Sequence, residues 1–123
     1  MCKMLLSINP EHVENIFSGV KKFEFRKIRC RSEVDKMVIY STSPVMKIVG
    51  EAEIIDIIEG LPAEVWEQTE EFAGIDKIFF DQYYDGKAKA IAYCLGSVMQ
   101  YAQPLNLSDY GISFAPQSFI YLD

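Results

Sequence analysis

The chain has 123 residues, half of them apolar, a formal charge of −6, three cysteines and one histidine. That length gives one domain, residues 1–123, able to bury roughly two thirds of its unfolded surface in a core of its own. Cys2, Cys30 and Cys94 are odd in number and widely spaced, which excludes a disulfide framework. With His12 as the lone imidazole, no metal site and no cofactor is expected.

The opening "MCKMLLSI" carries an apolar run of about five residues, too short for a signal peptide or a membrane span. A cytoplasmic protein with no membrane partner is expected, and "KMLLSI" reads as a buried strand. Asn9 offers an N-cap and Pro10 fits the first helical position. The helix "PEHVENIFSG" then shows Val13, Ile16 and Phe17 at helical spacing, and Gly19 supplies a left-handed stop. "KKFEFRK" alternates like a strand, putting Phe23 and Phe25 on one face and Lys22, Glu24 and Arg26 on the other. "IRCRSEVD" reads as a loop, "KMVIYST" as a strand ended by Ser43-Pro44, and "VMKIVGEAEIIDII" as a long strand with a bulge or bend at Gly50.

"GLPAEVWEQTEEFAG" predicts a helix with Val65, Trp66, Thr69 and Phe72 on one face. "IDKIFFDQYYDG" predicts another, pairing Phe79 with Tyr83 and Phe80 with Tyr84. "AKAIAYCLGSVMQY" and "QSFIYLD" return to strands, separated by a polar stretch holding Pro104, Ser108, Gly111 and Pro116. The pattern is that of an α+β domain on a curved, largely antiparallel sheet or small β-barrel with two or three short helices.

Charge is unevenly spread. Residues 21–36 carry a net +4 and residues 51–85 a net −10. At physiological salt the Debye length is about 8 Å, so the basic zone acts almost independently of the acidic one. The charged strand has three readings: a solvated face of cross-strand pairs, an anion or base-edge site built on the Arg26 fork with Glu24 as acceptor, or a catalytic set with Lys21 as base and Glu24 as partner. Glu70 and Glu71 read as exposed helix positions, and Glu51 and Glu53 as strand exterior. His12 has no serine or cysteine partner at a recognisable spacing and stays outside the candidate site. Cys30 between Arg29 and Arg31 would have its thiolate favoured, which alone is weak grounds for nucleophilic catalysis.

The spacing Gly19-x-Lys21-x-x-Glu24-x-Arg26, after an amphipathic helix and a short strand, resembles the signature of the ASCH (activating signal cointegrator homology) domain family of the PUA-like superfamily. "LLSINPEHVENIFSGVKKFEFRK", "VIYSTSP", "IVGEAEI" and "GISFAPQSFIYL" are similar, in order, to blocks of its small stand-alone prokaryotic members. The resemblance implies a PUA-like β-barrel with a cleft beside the first helix and the signature strand. It also implies RNA, a nucleotide or a modified nucleoside as partner. Some small members are amidohydrolases acting on N4-acetylcytidine and others are ribonucleases. In the amidohydrolases the lysine matched by Lys21 works with a downstream glutamate and with a threonine where this chain has Glu24. A carboxylate acting there as acyl acceptor would form an anhydride.

The likeness sets the strand end near the cleft, where Ser41 or Ser43 can reach a ligand. In "FAPQSF", Gln117 and Ser118 stand between aromatics, and amides read base edges well. The expected ligand-binding residues are Gly19, Lys21, Glu24, Arg26, Ser41, Ser43, Gln117 and Ser118, with Lys21 and Glu24 catalytic if the domain is an enzyme. A binding module comes first, a small hydrolase second, and a protein-interaction domain using the acidic 51–85 region third.

Overall fold

A run such as Met4-Leu5-Leu6 has no polar face to offer water, so a strand made of it has to be covered on both sides. All three side chains are fully buried. The computed structural model describes residues 2–122. Its elements are β1 (Cys2–Ile8), α1 (Pro10–Ser18), β2 (Phe23–Arg26), β3 (Val34–Ser41), β4 (Lys47–Gly60), α2 (Pro62–Thr69), α3 (Lys77–Tyr83), β5 (Ala90–Leu105) and β6 (Phe119–Leu122). Single 3₁₀ turns follow α2 at Glu70–Phe72 and β5 at Leu107–Tyr110.

The strands form one sheet in the order β2-β5-β4-β3-β1-β6, antiparallel except for the β1–β3 pair. Curled into a half-barrel and flanked by three helices, it is the PUA-like α+β arrangement that the sequence implies. One cluster, with Met4, Leu6, Val13, Ile16, Met37 and Tyr93, lies under α1; a second, with Phe25, Val65, Phe80 and Tyr84, lies under α2 and α3. Leu5, Val38, Tyr40 and Ile48 make a third.

The two longest strands bend to follow the curl. Register between β4 and β5 shifts three times, between Ile48 and Gly50, Ala52 and Ile54, and Ile54 and Asp56. A Cβ on Gly50 would sit 2.4 Å from the Met99 carbonyl oxygen and 2.6 Å from a Phe17 ring carbon. Glycine there lets β5 and α1 close on the bend, as its place in the sequence suggests.

Three local expectations change. Lys21 and Lys22 precede β2, because their backbone N–H groups bond to the Asn15 and Phe72 carbonyls, 2.9 Å each. Strand β5 continues through Pro104 to Leu105, which pairs with Ile48. Phe72 stays partly exposed, the Lys22 ammonium lying 4.4 Å from its ring centroid, while Val65 and Thr69 are buried as the helical spacing requires.

The loop before β3 hangs on one side chain. The Tyr93 hydroxyl donates to the Ile28 carbonyl and accepts from the Cys30 N–H, both at 2.8 Å. Burial pushes the Cys30 thiol above its ordinary pKa, outweighing the neighbouring Arg29, so the expected thiolate is not favoured. Tyr93→Phe strands a buried N–H, and urea unfolding should show a loss of about 1–3 kcal/mol, with faster amide exchange at residues 28–33.

Candidate functional site

Helix α1 sets the geometry. Asn9 caps it by accepting from the Glu11 N–H, and Gly19 ends it at φ 87°. The chain then folds back until the Lys21 N–H meets Asn15, which turns the Lys21 side chain inward. From the other side comes the 73–75 loop. Gly74 has φ 71°, and a Cβ on it would lie 2.3 Å from the Lys21 Cβ. Only glycine lets the backbone press this close. The Lys21 Nζ donates to the Ala73 carbonyl at 2.9 Å and lies 4.8 Å from the Phe25 ring centroid.

Glu24 and Arg26, two apart on β2, project to the same side. The Arg26 Nε donates to Glu24 Oε2 at 2.9 Å and Nη2 reaches the Ser7 carbonyl at 2.8 Å. Ser7 belongs to β1, so this guanidinium spans the gap between edge strand β2 and the far side of the curled sheet. The Tyr84 hydroxyl donates to the Arg26 carbonyl at 2.8 Å and fixes the strand end.

Lys21, Glu24 and Arg26 line one cavity of about 190 Å³ with Ser7, Ile8, Asn9, His12, Phe25, Ile75, Phe79 and Tyr83. Lys21 is 3% exposed and Glu24 6%. A recess of about 300 Å³, with Glu11, Gly74 and Asp76, shares Asn9, His12, Ile75 and Phe79 with it. A larger hollow beside Glu14, Asn15, Phe17, Ser18 and Gln100 has no cation in its lining. Among the described residues, no three His, Cys, Asp or Glu side chains converge as metal ligands would.

Burial lowers the Lys21 pKa from the ordinary lysine value; Glu24 opposes this and Arg26 adds to it. His12 is lowered as well, by burial and then by Lys21, against Glu24. Its ring meets Phe79 edge-on at 5.4 Å. Among the described residues, His12 Nδ1 is the single buried side-chain nitrogen or oxygen without a hydrogen-bond partner. Leaving such an atom unsatisfied costs about 1–3 kcal/mol.

With Lys21 protonated, the three charged groups leave one net positive charge between aromatic walls. Such a hollow can hold a monoanion and pass a proton to or from it. Ligand pockets usually measure about 300–1,000 Å³, so this one alone takes a single ring or phosphodiester, and the recess that shares four residues with it adds room on the scale of one nucleotide.

The other expected residues are placed differently. Gly19 is the helix stop. Ser41 is buried, paired in register with Ile8 at the end of β3, and Ser43 lies in the exposed turn that follows. Neither lines the cavity, although the Thr42 N–H of that turn bonds to the Ile8 carbonyl at 3.0 Å. The Ser7 N–H bonds to the Ser118 carbonyl at 3.1 Å and its hydroxyl donates to the Pro116 carbonyl at 2.7 Å, which brings the backbone around Gln117 and Ser118 to the cavity edge. Glu51 pairs with Lys36 and accepts from Tyr101, Glu53 accepts from the Ser97 N–H, and Glu70 and Glu71 are exposed, all away from the cavity.

Sequence reasoning missed His12, Phe79 and Tyr83. For His12 a signal was present: three residues beyond the N-cap, it shares the helix mouth onto which the signature strand folds. For α3 the two aromatic stripes divide, Phe80 and Tyr84 packing in the core while Phe79 and Tyr83 line the cavity.

The model of the ASCH domain matches residues 6–104. An ASCH domain-containing ribonuclease from Zymomonas mobilis is 31% identical over 104 residues, covering 84% of this chain and 70% of that protein. The large ribosomal subunit protein uL22 of Ureaplasma parvum is 30% identical over 120 residues, or 97% of this chain, which spans 39% of its length. The crystal structure of ASCH from Zymomonas mobilis superposes with a TM-score of 0.89 at 27% identity, covering 98% of this chain and 87% of that one. From the Lys21, Glu24 and Arg26 side chains that meet in the cavity to the half-barrel that carries them, the chain belongs to the ASCH domain family.

Proposed function

We propose that this chain acts as one RNA-directed domain, residues 1–123, seating one nucleotide of a single strand in the Lys21–Glu24–Arg26 cavity and cleaving the phosphodiester there. One observation carries this reading: a buried lysine ammonium and a buried glutamate share one cavity with a half-buried arginine paired to that glutamate. Taking each ion out of water costs several kcal/mol, and such groups gather where they meet a charged ligand. The similarity to a protein named a ribonuclease supports it.

A phosphodiester brings one negative charge to a site with one positive charge. Arg26, braced by Glu24, offers its fork to the non-bridging oxygens. Lys21 spends one of its three donors on Ala73 and turns the others to the phosphate. Its lowered pKa suits it to hand a proton to the leaving oxygen. Phe25, Phe79 and Tyr83 take the base by stacking, and Gln117 and Ser118 meet the flanking nucleotide. A reducing, cytoplasmic setting suits the chain, since none of its cysteines forms a disulfide among the described residues and no described helix is long and apolar enough to cross a membrane.

The small cavity favours a second reading, hydrolysis of an amide on a modified nucleoside such as N4-acetylcytidine. Glu24 would then take part as a carboxylate where a threonine works in the amidohydrolases.

Incubation with a short single-stranded RNA and, separately, with N4-acetylcytidine, followed by chromatography, decides between them: shortened RNA is expected. Intact RNA together with deacetylated nucleoside would favour the second reading. Lys21→Met should slow RNA cleavage by about 10²-fold or more, and the parent rate should fall as pH rises through a Lys21 pKa below the usual ~10.4. Arg26→Ala orphans the buried Glu24 carboxylate, so urea unfolding should show a loss of about 3–5 kcal/mol, part of it regained when Glu24→Ala is added. Gly74→Ala sets a Cβ 2.3 Å from the Lys21 Cβ at a positive φ, so it should cost at least ~2 kcal/mol of stability and slow cleavage more than about tenfold by displacing Lys21.

A further inference from the structure

His12 is the one titratable group lining the cavity that the reading above leaves without a task. Its helix brings it to the wall facing Lys21 and Arg26, and Phe79 holds the ring edge-on. Among the described residues its Nδ1 is the only buried side-chain nitrogen or oxygen with no partner. An imidazole held only for packing would be matched by a nearby donor or acceptor, as Tyr84 and Tyr93 are. The ring itself lines the cavity in which Lys21, Glu24 and Arg26 meet.

We infer that His12 is a further catalytic residue of this cavity, accepting the proton of the attacking ribose 2′-hydroxyl in RNA cleavage, and this rests on the ribonuclease reading. The 2′-oxygen forms a bond to phosphorus as its proton passes to the imidazole. The phosphorus–5′-oxygen bond breaks, and the departing oxygen takes its proton from the Lys21 ammonium. The products are a 2′,3′-cyclic phosphate and a 5′-hydroxyl end, and exchange with water returns His12 and Lys21 to their starting states. The substrate class narrows accordingly to ribose-containing strands.

The charged and titratable groups facing His12 are Glu11 on its own helix, Lys21, Glu24 and Arg26 from the β2 side, and Asp76 and Tyr83 from the α3 side. Burial and Lys21 keep the ring neutral at pH values where an exposed histidine is half charged, and Glu24 and Glu11 work the other way. A neutral imidazole beside a charged ammonium is the pairing that base and acid require.

The test compares the parent with His12→Gln and His12→Ala, measuring cleavage of a short RNA from pH 4.5 to 9, the chemistry of the product ends, and affinity for the same strand with a 2′-deoxy residue at the cut. Expected are 2′,3′-cyclic phosphate ends, an acidic limb in the parent profile below pH ~6.5, and its disappearance in both variants. Their rates should drop about 10²–10⁴-fold, with affinity for the deoxy strand within about twofold of the parent's. Because the chain has one histidine, its ring proton signals in NMR are assigned without ambiguity. They should shift when a ribonucleoside 3′-monophosphate is added. A parent that leaves RNA intact overturns the ribonuclease reading itself. A parent that cuts RNA while His12→Gln keeps its rate and its acidic limb, or that leaves 3′-phosphate ends without a cyclic intermediate, overturns the role of His12 alone.

Discussion

The guanidinium of Arg26 holds together two parts of the sheet that backbone pairing leaves apart. Strand β2 is an edge, and β1 lies four strands away in the ladder, yet the curl brings them face to face. Arg26 bonds to the Ser7 carbonyl on β1 and to Glu24 on its own strand, and Tyr84 fastens the backbone behind it. A lysine there would give a point charge and lose the fork that serves both partners. Edge strands with open backbone groups invite unwanted pairing. Here the edge is spanned by a charged bridge, and the gap beneath it becomes the cavity.

Lys21 completes that gap at a cost borne by the neighbouring backbone. Its stem is clamped between the end of α1 and the 73–75 loop, which presses close because Gly74 has no side chain. A clamped ammonium has few rotamers left to lose on meeting a ligand, so less of the binding energy goes into ordering it. The same clamp keeps it from swinging out to water, as a lysine's flexible stem otherwise allows. Rigidity and desolvation thus come from one packing contact.

Much of the fold was legible because its signals are local. Asn9, Pro10 and Gly19 bound α1, alternation marks the strands, and Gly50 marks the bend. The charged side of β2 was legible too, since period-two alternation puts Glu24 and Arg26 together whatever lies opposite. What lies opposite was not. His12 joins the cavity only because the chain reverses after Gly19, and Phe79 and Tyr83 only because α3 packs across β2; both depend on contacts between residues more than 50 apart or on the path of a loop. Helical spacing cannot say which of two aromatic stripes faces the core, for Phe79 with Tyr83 and Phe80 with Tyr84 obey it equally. Ser41 and Ser43 show another limit, since Ser41 is paired in register beside the cavity-lining Ile8 and still does not line the cavity itself.

The acidic balance of the whole chain bears on how it meets a polyanion. Affinity for duplex or coiled nucleic acid grows with the number of phosphates neutralised and the counterions released, and a surface of −6 with glutamates along α2 and the turn after it repels that mode. Inside the cavity the balance is reversed, because Lys21 and Arg26 outnumber Glu24 and their side chains are largely buried. A buried charge is screened far less by salt than an exposed one. The charge of the domain as a whole therefore works against a polyanion, while the hollow of about 190 Å³ offers one net positive charge to a single anionic group.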